Sequence, residues 1–176
     1  HLGVYAHDLD LAPELGRDGS DWEGNDLGAW VSSTPAHNTV TVDEQSINDP
    51  QWVGFPRHFD HTERVQLMDV ESPYAYEQTD EHRRTTAMVR IDEESSYVVD
   101  WFRVAGGDDH HYCFHGMTST GVQTPGLELA AQDGGTYAGQ DVDFGTDGPF
   151  SYLYDVSRDD DPTTGFSVDW DIEDYW

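Results

Sequence analysis

The chain has 176 residues, with 36 acidic residues against eight arginines and no lysine, and a formal net charge of -28. This charge disfavours nucleic acid as a partner, because phosphates would be repelled, and no apolar run approaches the length that spans a membrane. The charge predicts adaptation to high salt, where ions screen the self-repulsion; an ordinary acidic secreted protein is the alternative.

The first quarter of the chain alternates apolar and polar residues in short segments. Residues 2–5 and 9–12 are predicted strands that flank a turn at His7 and Asp8, and residues 17–28 are predicted to be an irregular surface loop. Thr39 to Val42 then alternates polar and β-branched side chains, which is typical of a half-buried strand. This pattern places His37 at the mouth of a strand, where a rigid sheet can orient it.

The middle of the chain contains the clearest strand signals. Residues 48–59 are aromatic and interrupted by two prolines, so we interpret them as a segment that covers one sheet or borders a sugar cleft, rather than as a strand. Alternation then predicts strands at residues 65–70 and 74–77, and a hairpin of residues 85–91 and 97–104.

The last third of the chain predicts further short strands between turns rich in glycine and aspartate, at residues 111–115, 127–131, 151–156 and 166–172. No amphipathic helix is evident, so the chain is predicted to be all-β, an antiparallel β-sandwich of many short strands. We expect residues 1–176 to form a single β-sandwich domain. The chain opens at His1, inside a strand pattern and without a methionine, so the domain is expected to be truncated at its N-terminus.

Three sequence runs, taken in order, point to one family. The run YAHDLDLAPELG at residues 5–16 precedes AHNTVTVDEQS at residues 36–46, and YVVDWFRVAGGDDHHYCFHG follows at residues 97–116. This order resembles the heparinase II/III-like polysaccharide lyases, whose C-terminal region carries an LAxDxG-like turn and then HNTVxVDGxxQ. In this chain Glu14 stands at the usual Asp, Glu44 replaces the usual Gly, and Ile47 lies near the usual Gln.

The resemblance implies that His37 and Glu14 bind a metal, usually zinc, whose ligands are nitrogen and oxygen donors held by rigid backbone. By the family's pattern the third ligand lies just before His1, outside this chain. His1 or His7 would take its place only in a different register. The alternative is that His37 orders the strand mouth through hydrogen bonds.

The resemblance also implies a lyase that cleaves uronic-acid-containing polysaccharide by β-elimination. Such an enzyme neutralises the uronate carboxylate and places a base and an acid on the sugar. In the family these catalytic groups come mainly from a helical domain upstream of His1, so the isolated fragment is expected to be inactive. His115, Arg57 and Trp30 are the candidate substrate-binding residues, because an arginine fork suits a carboxylate. Arg83 and Arg84 could do the same, but we expect them to pair with the abundant acids.

The expected partners are an acidic polysaccharide and the missing N-terminal helical domain, with no nucleic acid and no membrane. We expect the protein to be extracellular, periplasmic or at the cell surface, in a high-salt environment. The alternative function is a non-catalytic carbohydrate-binding or scaffold β-sandwich module. In that case the possible sugar platforms are Trp22, Trp30, Trp52 and Trp101.

Overall fold

The computed structural model describes residues 1–14, 26–47, 53–116, 121–163 and 165–172. Strands dominate these residues, with one short helix, α1 (Asp26–Val31), and 3-10 helices at Thr34–Ala36 and Pro149–Tyr152. The strands are β1 (Val4–Ala6), β2 (Leu9–Ala12), β3 (Thr39–Val42), β4 (Phe55–His61), β5 (Val65–Glu71), β6 (Thr79–Arg90), β7 (Ser96–Gly106), β8 (His110–Cys113), β9 (Val122–Gln123), β10 (Ala130–Ala131), β11 (Ser157–Arg158) and β12 (Asp169–Trp170).

Contacts divide the chain into two compact units. Unit 1 comprises His1–Tyr5, Leu9–Thr39 and Cys113–Trp176, and unit 2 comprises Ala6–Asp8 and Val40–Tyr112. The all-β prediction is confirmed, since the described strands form several sheets, and both the four-stranded sheet and the β9–β12 and β10–β11 pairs are antiparallel. The single-domain assignment and its truncation stay predictions.

Unit 2 is built on an antiparallel sheet in the order β4-β5-β6-β7. The predicted central hairpin is present, with Val89 opposite Tyr97 and Thr85 opposite Trp101. Neighbouring strand residues face opposite sides of a sheet. Arg83 therefore pairs with Asp69 on one face, and Arg84 pairs with Asp100 on the other.

A small apolar core lies beside this sheet in unit 2. Buried Val42, Ala75 and Tyr76 form its centre, with Ile47 and Val104 packed against them. Strand β3 pairs with β8. The predicted strand after His37 therefore lies next to a strand from the family-like run at residues 97–116.

Unit 1 has little regular sheet. Its short ladders are β9 with β12 and β10 with β11, and the β1–β2 pair lies mostly within it. The helices contact one another, α1 against both 3-10 helices. Buried side chains in this unit include many polar ones, such as Asn38, Thr136 and Ser151.

Several predicted elements are wrong, for local reasons. Residues 74–77 form turns rather than a strand: Pro73 favours the second position of a turn, and the Ala75 amide donates to the Ser72 carbonyl at 3.1 Å. Residues 55–59 belong to β4, because an edge strand tolerates Pro56 and absorbs Arg57 in a bulge.

Other predicted strands are shortened or replaced. Most of residues 151–156 is not strand, since the 3-10 helix Pro149–Tyr152 occupies its start and β11 begins only at Ser157. The strands predicted at 127–131 and 166–172 keep two residues each. The predicted surface loop at residues 17–28 is wrong at its end, because residues 26–28 begin α1, which also carries Trp30; residues 17–25 lie outside the described residues.

Candidate metal centre

Three side chains of unit 1 converge at one point. His1, Glu14 and His37 each offer a ligand atom, and these atoms all lie within 4.8 Å of one another. The Nδ1 atoms of both histidines face the same carboxylate oxygen, Oε1 of Glu14; for His1 the distance is 3.4 Å. The two imidazole ring centroids are 3.8 Å apart.

Two local structures hold these residues. Between β1 and β2, His7 and Asp8 both adopt positive φ values, which suits a tight two-residue hairpin turn. Strand β2 then ends at buried Ala12, and Pro13 leads directly to Glu14. His37 follows the 3-10 helix Thr34–Ala36, and its amide donates to the Thr34 carbonyl at 3.1 Å.

The hydrogen bonds of His37 fix its tautomer. Its Nε2 lies 3.0 Å from the carbonyl oxygen of Val31, and since a carbonyl only accepts, Nε2 carries a proton. In the neutral ring, Nδ1 then presents its lone pair toward Glu14 Oε1. Two acceptors in contact require a cation between them, either a proton or a metal ion.

Glu14 supplies a second observation that fits a cation. Its other oxygen, Oε2, is buried and has no hydrogen-bond partner among the described residues. A buried carboxylate oxygen without a partner is costly, and a metal ion would satisfy it. Two imidazole nitrogens and one carboxylate oxygen are a set of donors that Zn²⁺ accepts, and the bond from Nε2 of His37 to a carbonyl is the usual outer support of a ligating histidine.

The predicted substrate-binding residues His115 and Trp30 lie together in unit 1. Their rings meet edge to face, with centroids 6.1 Å apart. The Nε2 of half-buried His115 donates to the Pro35 carbonyl at 2.8 Å, and its backbone amide donates to Asn38 at 2.6 Å. Trp30 also contacts Tyr152, with ring centroids 6.4 Å apart.

The three arginines of unit 2 considered as substrate contacts are engaged by acids. Arg57 donates to Glu71 at 2.6 Å. The expectation that Arg83 and Arg84 pair with acids is confirmed, since Arg83 binds Asp69 and both nitrogens of the Arg84 fork bind Asp100 at 2.7 Å.

The structure brings His1, not His7, to the cluster. His7 belongs to unit 2, and within that unit its ring lies 3.2 Å from the Glu93 carbonyl and 3.0 Å from Ser96 Oγ. Trp101 is exposed, whereas Trp22 and Trp52 lie outside the described residues.

A comparison with protein-family models settles the relationship. The model described as heparinase II/III-like, C-terminal, matches residues 4–155. The chain belongs to this family. Domains of this kind form part of larger polysaccharide lyases. Comparisons with curated proteins and with solved structures gave no match, and no helix in the described ranges is long and apolar enough to cross a membrane.

One departure of this heparinase II/III-like domain from its family's pattern has a visible cost. Asp43 and Glu44 turn the chain with φ values of 52° and 56°, a conformation that favours the glycine usual at the second position. The carboxylate of Asp43 compensates in part. It accepts the amides of Asp108 and Asp109 and the side-chain amide of Gln78, and these hydrogen bonds lower its pKa.

Glu44 also joins a second group of ligand-type side chains, with Asp109 and His111. The carboxylates of this group are open to solvent, with side-chain exposures of 54% and 59%. The histidine of this group, His111, is 19% exposed. In the first cluster the side-chain exposures are 34% for His1, 19% for Glu14 and 4% for His37. Exposed acids are abundant in this chain, so burial favours the first cluster as the candidate metal centre.

Sequence reasoning did not assign two residues that matter here. His1 was only a conditional ligand, because its proximity to His37 depends on how the hairpin folds back. Asn38 was not assigned at all, although its position next to His37 in the HN pair was a usable signal.

Proposed function

We propose that this chain is the C-terminal domain of a polysaccharide lyase that cleaves uronic-acid-containing polysaccharide by β-elimination, and that it contributes a metal site and one wall of the cleft. The observation that carries the proposal is the convergence of His1, Glu14 and His37 in a chain of the heparinase II/III-like C-terminal family.

The metal is Zn²⁺, held by Nδ1 of His37, Nδ1 of His1 and the Glu14 carboxylate. When bound, it supplies a cross-link whose binding free energy adds to the stability of the fold. The protein residues do the remaining work at this site. Val31 orients the imidazole of His37, and the β1–β2 hairpin carries Glu14 toward it.

The elimination itself is divided between domains. The carboxylate of the uronate must be neutralised while a base removes the adjacent proton and an acid protonates the leaving sugar oxygen. The upstream helical domain provides the base and the acid. From this chain, Trp30 offers an aromatic face to the sugar, and His115 is held beside it by its bonds to Pro35 and Asn38.

Salt is part of the proposed function. A chain of net charge -28 repels an acidic polysaccharide, and in described unit 2 the acids engage Arg57, Arg83 and Arg84. Molar salt shortens the range of this repulsion to about 3 Å. We therefore propose that the enzyme works outside the cytoplasm in a high-salt environment.

The metal site is tested by titrating the chelator-treated chain with Zn²⁺ and measuring the dissociation constant. Glu14→Gln and His37→Ala should each weaken binding at least 100-fold, more than the 10- to 100-fold typical of outer-shell changes. His58→Ala, at an exposed position of β4, is the matched control and should bind as the wild type does. Equal Zn²⁺ affinity for all four proteins would remove the metal from the proposal.

The division of labour is tested with the full-length protein and the 176-residue chain at molar salt. A panel of uronate polysaccharides is incubated with each, and unsaturated uronate products are followed by absorbance. We expect products only from the full-length protein. Products from the chain alone would show that the catalytic groups lie within it.

A non-catalytic carbohydrate-binding module is the second candidate. The observation that favours it is Trp101, which is 62% exposed on β7 with Arg103 beside its ring. If this function holds, the full-length protein should release no unsaturated product, and Trp101→Ala should reduce the retention of the chain on a polysaccharide at least tenfold.

A further inference from the structure

The side chain of Asn38 is fully buried in unit 1. Its Nδ2 donates to the carbonyl of Leu2 at 2.8 Å and lies 3.4 Å from the carbonyl of Pro13. Its Oδ1 accepts the backbone amide of His115 at 2.6 Å. A carboxamide has two N–H donors and one carbonyl oxygen, and in Asn38 both the amide nitrogen and the carbonyl oxygen make hydrogen bonds.

The partners of Asn38 are the chain neighbours of the clustered residues. Leu2 follows His1, Pro13 precedes Glu14, and Asn38 itself follows His37. One carboxamide therefore joins the three backbone segments that carry the three candidate ligands, at a distance of one residue from each.

No described sheet ladder makes the same connection. Strands β1 and β2 pair with each other, whereas β3 pairs with β8. The segments that carry His1 and Glu14 are therefore tied to the segment of His37 through side-chain contacts. Among these contacts, the bonds of Asn38 run from its side chain to backbone carbonyls. The side chain of Asn38 is itself fully buried, where hydrogen bonds are shielded from competing water.

We infer that Asn38 is a positioning residue that sets the spacing of His1, Glu14 and His37 for a metal ion. The inference rests on the proposed metal site. Asn38 does not touch the ion. It fixes the backbone at the point where each ligand leaves it, and its bond to His115 links the same frame to the candidate substrate-binding residue.

Asn38→Asp is the sharpest variant, because it keeps the shape of the side chain and replaces its N–H donors with an acceptor. The carbonyls of Leu2 and Pro13 would then face a carboxylate oxygen, which repels them. Asn38→Ser is the second variant. Ser151→Ala is the matched control: Ser151 is also fully buried in unit 1, and its hydroxyl donates to the Gly148 carbonyl at 2.7 Å, without contact to the cluster.

The measurement is Zn²⁺ and Co²⁺ affinity by competition with a chelator, together with the visible absorption spectrum of bound Co²⁺, which reports ligand geometry. Both Asn38 variants should bind about 10- to 100-fold more weakly than the wild type, the loss usual for an outer-shell partner, with an altered Co²⁺ spectrum. Ser151→Ala should lower the melting temperature but keep the wild-type affinity and spectrum.

The outcomes separate this inference from the proposed function. If the wild type binds neither ion, the metal site itself is wrong. If the wild type binds and Asn38→Asp binds with the same affinity and spectrum, the metal site stands and the role of Asn38 is overturned.

A measurement on the wild type covers the case in which neither variant folds. Hydrogen exchange of the Asn38 side-chain amide protons is followed by NMR as Zn²⁺ is added. A positioning role requires slower exchange at saturating metal, because binding locks the three segments together. Unchanged exchange and chemical shift would overturn the inference.

Discussion

The two units of this chain differ in the interactions that stabilise each of them internally. In unit 2, the long strands β5, β6 and β7 form a continuous antiparallel ladder, and ion pairs cross it on both faces. In unit 1, ladders are only a few residues long, and buried polar side chains bond to backbone carbonyls and amides. The candidate metal centre lies in unit 1, so its geometry depends on individual side-chain hydrogen bonds rather than on strand register.

Charge separates the units further. Six of the eight arginines lie in unit 2, whereas the acidic residues divide almost evenly between the units. Unit 2 therefore neutralises part of its charge internally by pairs such as Arg84 with Asp100. Unit 1 has only two arginines for its acids, so we expect its stability to depend more on salt.

The largest expected effect is that of salt. Between 1 M and 0.1 M salt the screening length grows from about 3 to about 10 Å, and the resulting repulsion should remove a large share of the roughly 5–15 kcal/mol that stabilises a small domain. Hydrogen exchange at stepwise lower salt should show protection lost in unit 1 before unit 2. The reverse order would contradict the charge comparison, and unchanged stability would contradict adaptation to salt.

The next largest effect is expected at Gly107, the residue that directly follows β7, where an added side chain would cause a steric clash. Gly107 has a φ of 78°, and a Cβ there would come within 2.3 Å of Val42 Cγ1, in the core of unit 2. Gly107→Ala should lower the free energy of unfolding by about 2–4 kcal/mol, from overpacking and an unfavourable φ together. Chemical denaturation measures the loss.

Gly134→Ala in unit 1 is its control. Gly134 has nearly the same φ, 80°, but a Cβ there would meet nothing within 4 Å. It should cost only about 1 kcal/mol, for the backbone conformation alone. Equal losses for the two variants would mean that Val42 is not tightly packed against the turn.

The ion pairs of unit 2 should differ by burial. Arg84 and Asp100 are each only 11% exposed, and Tyr112 also donates to Asp100 at 2.7 Å. Asp100→Asn leaves a buried guanidinium without its charge partner and should cost about 2–3 kcal/mol. Glu71→Gln, which removes the partner of half-exposed Arg57, should cost less than about 1 kcal/mol.

The same variant has a spectroscopic signature. Burial and the hydrogen bond to Asp100 raise the pKa of Tyr112 to about 12. In Asp100→Asn the ultraviolet titration of the phenol should move part of the way back toward 10, since burial remains. An unmoved titration would show that Asp100 does not act on Tyr112.

The smallest effect concerns His82, which is buried in unit 2 between Tyr76 and Phe102. Burial lowers its pKa below the usual 6.5, so the imidazole of His82 binds a proton more readily in the unfolded chain than in the folded chain. The contribution of the neutral His82 to the free energy of unfolding is complete above pH 6.5 and is lost as the pH falls below 6.5. Lowering the pH from 7.5 to 5.5 should cost at most about 1.4 kcal/mol by this route, the worth of one pH unit below the unfolded pKa.

His82→Gln should remove that part of the pH dependence, measured as the difference in unfolding free energy from the wild type at each pH. His58→Gln, at an exposed position of β4, controls for the loss of one imidazole. A constant difference between His82→Gln and the wild type across this range would exclude His82 as a source of pH dependence.

Strand prediction succeeded where the alternation was long. The β6–β7 hairpin follows directly from the sequence, because a period of two over many residues leaves little choice of structure. Strand β3 also lies where it was predicted, but all four of its residues are buried, so the expectation that it is half-buried was wrong. Strand prediction failed at residues 151–156 and 74–77, where a few aromatic residues alternate by chance and a turn set by proline or glycine prevails. Proline was also misread in β4, since only the position of the strand at the sheet edge makes Pro56 acceptable.

The sequence by itself determined the all-β class, the family resemblance and the pairing of His37 with Glu14 as candidates, because these depend on local periodicity and on motifs read in order. Only the tertiary structure decided that His1, rather than His7, completes the cluster. It also decided that Asn38 joins the three backbone segments that carry the cluster residues. The bonds of Asn38 to Leu2 and Pro13 link residues 36 and 25 positions apart, and their geometry follows from how the hairpin folds against the start of β3. No local pattern in the chain encodes that distance.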